Sequence, residues 1–159
     1  MTKASLILAL LLTVSACSTI ECPLNNRVYT NYILMGDVTT IADTLTVSTT
    51  RADDTDSVFL NRVTAISKFI LPISYQSEAD VFYFELHDSL GNQSIDTVAI
   101  HKEDRPRFEA VDCNPTFFHT LKRVETTHHA IDSIVINHPT VNYDTSKEHL
   151  HIYFKSNIY

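Results

Sequence analysis

Apolar and polar residues alternate along most of this chain with a period of two, and helical spacing is almost absent. Runs rich in Val, Ile, Thr, Tyr and Phe recur at strand length, each bounded by Asp, Asn, Ser or Pro, residues that favour turns. The pattern predicts strands over Val28–Met35, Thr44–Thr50, Ser57–Val63, Lys68–Ser74, Ala79–His87, Ile95–Lys102, Arg107–Val111, Phe117–Thr126, Ser133–Asn137 and His149–Lys155. Short strands separated by turn signals at intervals of roughly 8–15 residues imply an all-β fold of two packed antiparallel sheets. An immunoglobulin-like sandwich is the expected architecture, with a small β-barrel as the alternative.

A local pattern repeats in Asp43-Thr44-Leu45, Asp56-Ser57-Val58, Asp96-Thr97-Val98 and Asp132-Ser133-Ile134. Asp hydrogen-bonds turn backbone and a β-branched or other apolar residue then opens a strand, so all four read as turn exits rather than catalytic acids. Glycine occurs only at Gly36 and Gly91, the second within Ser89-Leu90-Gly91-Asn92, a hairpin loop between two predicted strands. Phosphate cradles and dinucleotide fingerprints need clustered glycines, so nucleotide-dependent chemistry built on those motifs is excluded.

The pattern changes at the amino terminus. Lys3 precedes an apolar run from Leu6 to Leu12, too short to span a bilayer, and Val14-Ser15-Ala16 leads into Cys17. This reads as a lipobox: residues 1–16 are a leader, Cys17 is the lipid-attachment residue, residues 17–27 form a short tether, and residues 28–159 form one β-sandwich domain. Ser18 rather than Asp follows the cysteine, and no acidic run succeeds it, so the expected location is the outer membrane, lipid-anchored and facing the periplasm. Removing the leader leaves 143 residues, enough for one core, and takes Lys3 away, moving the net charge from −7 to −8. A chain this acidic suits neither nucleic acid nor anionic headgroups.

With Cys17 acylated, Cys22 and Cys113 remain, and an even pair in an oxidising compartment is most simply one disulfide. A reactive or metal-binding thiol pair is the alternative, without a CxxC motif to favour it. Five steps separate Cys22 from Cys17, and at about 3.6 Å per residue the two lie within roughly 18 Å. The domain is therefore expected to sit close against its membrane.

Chemistry has few places to reside. Six of the eight histidines follow residue 118: His119, His128, His129, His138, His149 and His151. His149 and His151 are spaced to share one strand face about 7 Å apart, a weak metal-ligand candidate. Alternation gives the plainer reading, with Leu150, Ile152 and Phe154 buried and His149, His151 and Tyr153 on a solvated face. Asp53-Asp54-Thr55-Asp56 lacks the glycine and terminal glutamate of a calcium loop. Carbohydrate capture favours exposed aromatics, but Trp is absent, and Phe82/Phe84 and Phe117/Phe118 fall where core packing explains them. No catalytic constellation and no cofactor motif can be picked out.

The strings Arg107-Phe108-Glu109-Ala110-Val111-Asp112-Cys113-Asn114-Pro115, Phe117-Phe118-His119, Thr127-His128-His129-Ala130-Ile131-Asp132-Ser133-Ile134, Val141-Asn142-Tyr143-Asp144 and His149-Leu150-His151-Ile152-Tyr153-Phe154, with Glu21-Cys22-Pro23-Leu24-Asn25, resemble an uncharacterised lipoprotein family of Bacteroides-type bacteria. The resemblance implies an envelope lipoprotein of unknown function, lipidated at Cys17 and paired at Cys22 and Cys113, with no catalytic residues to carry over. The expected role is non-catalytic: binding a protein partner at the membrane surface, as an accessory to an outer-membrane β-barrel or envelope complex. A small-ligand, sugar or metal-binding module on the histidine-rich strands is the alternative.

Overall fold

The computed structural model describes Cys22, residues 27–50 and residues 56–158, and in it the chain folds into two β-sheets packed on each other. The strands are β1 (Tyr29–Met35), β2 (Thr44–Thr50), β3 (Asp56–Val63), β4 (Lys68–Pro72), β5 (Ala79–His87), β6 (Gln93–Arg107), β7 (Thr116–Thr126), β8 (Ile131–Ile136), β9 (Thr140–Val141) and β10 (Leu150–Phe154). One sheet has the order β4-β1-β10-β8 and the other β3-β2-β5-β6-β7-β9, an all-β sandwich rather than a closed barrel. Pairing is antiparallel except between β1 and β10, which run parallel with Tyr32 opposite Leu150. Among the described residues no helix is long and apolar enough to cross a membrane.

Strict alternation builds the core. Leu45 and Val47 on β2, Phe82, Phe84 and Leu86 on β5, and Val98 and Ile100 on β6 point inward from the larger sheet. They meet Tyr32 and Leu34 on β1, Phe69 and Leu71 on β4, and Leu150 and Ile152 on β10. Tyr32 joins the layers: its ring stacks on Phe69 at 4.9 Å and reaches Phe84 of the opposite sheet at 6.3 Å. Burying side chains of this size stabilises by about 1.5–3 kcal/mol each, which is what holds two otherwise independent sheets together. The β5–β6 hairpin closes through Asp88 to Asn92, where Gly91 has a φ of +90°, a value that L side chains rarely adopt.

Asp96 departs from its expected role. It lies within β6, not at a turn, and its side chain is buried. The carboxylate accepts hydrogen bonds from the Thr127 hydroxyl (2.8 Å) and from the backbone N–H groups of His129 (2.6 Å), Ala130 (2.7 Å) and Ile131 (2.8 Å). Those residues carry the chain from β7 in one sheet to β8 in the other, where ladder partners run out and each buried amide left unpaired is costly. The Lys155 amide and ammonium donate to the carbonyls of Ala130 and His128, and His128 adopts a φ of +61°. Burial pushes the Asp96 carboxyl up, but the bonds from His129, Ile131, Thr127 and Ala130 outweigh it and hold it below its ordinary 3.8.

The expected strand Arg107–Val111 does not form. β6 continues to Arg107, and residues 108–115 make the tip of the β6–β7 hairpin. Pro106 is tolerated because β5 ends opposite His101, so β6 has a free edge there and needs no N–H on that side. β8 begins at Ile131 rather than Ser133, and the two-residue β9 carries too short a pattern to be read from sequence.

Removing the Asp96 carboxylate should therefore unfasten the crossover. Asp96→Ala is expected to lower unfolding stability by about 3 kcal/mol or more, measured by urea denaturation at neutral pH. Because the folded carboxyl titrates below its unfolded value, its contribution is full above pH 3.8 and is lost as pH falls through the folded value. A loss under about 1 kcal/mol at neutral pH would show that the crossover is held by other contacts.

Candidate functional site

The longest hairpin overhangs the sandwich. β5 follows β6 only as far as the Ala79–His101 pair; the Lys102 amide still donates to the Glu78 carbonyl, but among the described residues the strand from Lys102 to Arg107 has β7 as its one ladder partner. Those six residues extend about 20 Å at the rise of a strand. At the root of the overhang the register slips: His101 faces Arg123, but Lys102 faces Leu121, leaving Lys122 as an extra residue on β7. The bulge reverses the phase of β7, turning Leu121 and His119 inward.

Four ionisable side chains meet under this root. The fully buried Lys102 ammonium donates to the Ser77 carbonyl at 2.6 Å and stands 3.4 Å from Asp80 Oδ2 and 3.5 Å from Asp104 Oδ1. His119 Nδ1 lies 2.6 Å from Asp104 Oδ1, and the Ser74 amide donates to Asp80 Oδ2 at 3.2 Å. Burial raises the Asp80 carboxyl against the opposing pull of Lys102. Burial also lowers His119 despite the Asp104 carboxylate beside it, so the imidazole is neutral at pH 7 and donates through Nδ1. An open depression of about 550 Å³ lies over the cluster, with Tyr75, Gln76, Glu78 and Lys122 on its walls. A His–Asp pair can orient a general base when a nucleophile follows it. Among the described residues no Ser, Thr or Cys side chain bonds to His119, and Lys102 is occupied by its carboxylates and the Ser77 carbonyl. The arrangement fixes the overhang to the 74–80 segment.

Aromatic contacts brace the outer part. Phe117 stacks on exposed Tyr75 at 4.3 Å, and Phe118 meets Tyr143 edge-on at 5.1 Å with the Arg107 guanidinium 5.3 Å from its ring centre. Both phenylalanines are half-buried and face opposite ways along the strand: Phe118 packs against the core, as expected, while Phe117 lies on Tyr75 outside it. Phe82 and Phe84 are core, as expected. At the tip the Cys113 amide donates to the Ala110 carbonyl at 3.2 Å, closing a tight turn with Val111 at its first central position. Val111 is 98% exposed and Phe108 66%.

Cys113 is bonded to Cys22, S–S 2.06 Å, which ties the tip to the chain ahead of β1. Cys17 and Asp53-Asp54-Thr55 lie outside the described residues, while Asp56 opens β3 and accepts from Thr50. His149 and His151 are not brought together on a solvated face. His149 is fully buried: its Nδ1 accepts from the Asn31 amide at 3.0 Å, and its Nε2 has no hydrogen-bond partner. Asn31 also donates from its side chain to the carbonyls of Thr145 and Lys147, drawing that segment over the outer face that alternation had assigned to solvent. His151 instead bonds Glu148 at 3.0 Å. Burial lowers the His149 pKa, and His138 packs edge-on to its ring at 6.0 Å. His128 and His129 turn to the carbonyls of Asp132 and Ile95. Among the described residues no three His, Cys, Asp or Glu side chains gather as metal ligands.

Fold and site together define a disulfide-closed β-sandwich with one braced, protruding hairpin. The chain belongs to the Family of unknown function (DUF6452), which matches residues 44–154, from the first residue of β2 to the last of β10. No curated protein and no solved structure matches it. The exposed pair Phe108 and Val111 escaped the sequence reading. Their signal was two large apolar residues beside a cysteine, in a stretch otherwise carrying Arg, Glu, Asp, Asn and Pro.

The buried histidines give a pH-dependent prediction. Both titrate below the ordinary 6.5 when folded, so the unfolded chain takes up protons first as pH falls. The stability they contribute is full above pH 6.5 and is lost as pH drops through their folded values; Asp80, raised, has the opposite sign. His149→Leu strands the Asn31 amide and should cost about 1–3 kcal/mol at pH 7.5. The drop in melting temperature between pH 7.5 and 5.5 should also be smaller in this variant than in the natural chain. Equal pH slopes in the two proteins would remove His149 as a source of acid sensitivity.

Proposed function

We propose that this protein is a non-catalytic lipoprotein of the Bacteroides type, anchored through Cys17 in the outer membrane and facing the periplasm, that binds a protein partner close to the bilayer. The observation that carries the reading is the Cys22–Cys113 bond. It joins the residue five positions after the proposed lipid site to the tip of the overhang, so an anchored domain stands within roughly 18 Å of its lipid at that end. A domain held this close reaches partners lying in or on the membrane.

The outer face of the smaller sheet suits such a partner. Ile33, His151 and Val135 lie in one row across β1, β10 and β8, with Ile70 beside Asn31 on the neighbouring row. Ile70 is 52% and Val135 49% exposed, giving this face apolar side chains on strands whose inner faces already fill the core.

Two measurements test the reading. Cys17→Ser should abolish labelling by a palmitate analogue and leave the protein out of the detergent phase; unchanged attachment would refute the anchor. Photo-crosslinking residues placed at Ile70 and Val135 should capture the same protein in native membranes, and one placed at Glu125, on the outer face of the larger sheet, should not. Adducts of equal yield at all three positions, or none, would refute a partner on this face.

A further inference from the structure

We infer that the tip of the β6–β7 hairpin, residues 108–112, is a lipid-docking element whose Phe108 and Val111 enter the boundary between headgroups and acyl chains. The inference rests on the lipid anchor proposed at Cys17. Three independent features of the tip converge on it.

The first is position. The tip projects about 20 Å beyond the end of β5, and among the described residues no strand flanks it except its own partner. The second is chemistry. Phe108 and Val111 are among the most exposed large apolar side chains described; they stand three residues apart, Phe108 just before the tight turn and Val111 within it. Of the nearby charges, Arg107 donates to Glu109 at 2.9 Å and lies over Phe118, back from the apex, and Asp112 follows Val111 in the turn. The third is the tether. Cys113 closes the tip turn and is bonded to Cys22, so the chain leading to the acylated residue starts from the tip itself and is short enough to keep it at the bilayer.

Rigidity makes insertion favourable. A loop that had to be ordered on docking would lose part of the gain to conformational entropy. Here the disulfide, the Tyr75–Phe117 stack and the Lys102 cluster hold the hairpin before it meets lipid. The surface recognised is zwitterionic phospholipid: Glu103 is paired with Lys122, Asp104 with Lys102 and Glu109 with Arg107, and Asp112 adds a negative charge in the tip turn, so attraction to anionic headgroups cannot drive the contact. Binding through the apolar pair should accordingly be indifferent to salt.

The chain contains no Trp, so Phe108→Trp supplies a single fluorescent reporter at an exposed position. The full-length lipidated protein carrying it would be reconstituted into phosphatidylcholine–phosphatidylethanolamine vesicles, with and without lipids brominated on their acyl chains. Blue-shifted emission quenched by the brominated lipid, unchanged between 0.1 and 0.5 M NaCl, is expected. In the Cys17→Ser form, where only the tip can bind, adding Val111→Asp should weaken vesicle partition at least about tenfold. An anchored protein that takes the palmitate label but shows no quenching would overturn the docking tip while leaving the anchor intact. A chain without the label would refute the anchor, and quenching of that chain by added vesicles would then decide the tip by itself. Crosslinks from Val111 to a protein in native membranes, together with unquenched emission in vesicles, would assign the tip to a protein surface and also overturn the inference.

Discussion

One carboxylate fastens the crossover that carries the chain from β7 in the larger sheet to β8 in the smaller. Asp96 gathers three consecutive backbone amides and a hydroxyl from the only segment that connects β7 to β8. Without an acceptor inside the sandwich, that segment would have to bury unpaired amides or loop outward, and β8 and β10 would lose the placement that closes the smaller sheet. Asp96 occupies an inward position on β6, between the aliphatic rows, where an unpaired charge would be intolerable. Its bonds make the charge acceptable and the crossover possible in the same step.

The opposite end of β6 solves a related problem differently. Beyond Ile100 the inner face of the hairpin carries, beside Leu121, the polar side chains of Lys102, Asp104 and His119. Pairing them with one another and with Asp80 satisfies most of their hydrogen-bonding capacity, although a buried ionic cluster adds little net stability compared with apolar packing. Its value is directional: charges at fixed distances set the angle at which the overhang leaves the sandwich, and Phe117 on Tyr75 holds that angle farther out.

Much of this was legible in the alternation. β2 and β5 have the bounds that the pattern of Thr44–Thr50 and Ala79–His87 implies, and with Cys17 set aside as the expected lipid site, Cys22 and Cys113 were left as the pair that the structure bonds. Asp96 was not legible, because Asp-Thr-Val at residues 96–98 reads the same whether the aspartate serves its own turn or one more than 30 residues away. His149 was misread for a similar reason: alternation places it correctly on the outer face, but only Asn31, 118 residues earlier, reveals that the 142–148 segment covers that face. The overhang was hidden by its own charges, since Glu103-Asp104-Arg105-Pro106 has the composition of a loop. The one-residue bulge at Lys122, which turns His119 inward beside Asp104, leaves no mark in the alternation either.

The parallel pairing of β1 with β10 has a consequence for how the protein comes into being. Tyr32 stands opposite Leu150, so the first and last strands are adjacent in the finished sheet although nearly the whole sequence lies between them. Contacts of such long separation form late, after the intervening chain has given up its freedom, and topologies dominated by them fold slowly. A chain emerging amino terminus first cannot complete the smaller sheet until Phe154 has also emerged. Until then β1 can pair with β4 on one edge but leaves the other bare, and the hairpins of the larger sheet, whose partners are close in sequence, are free to form.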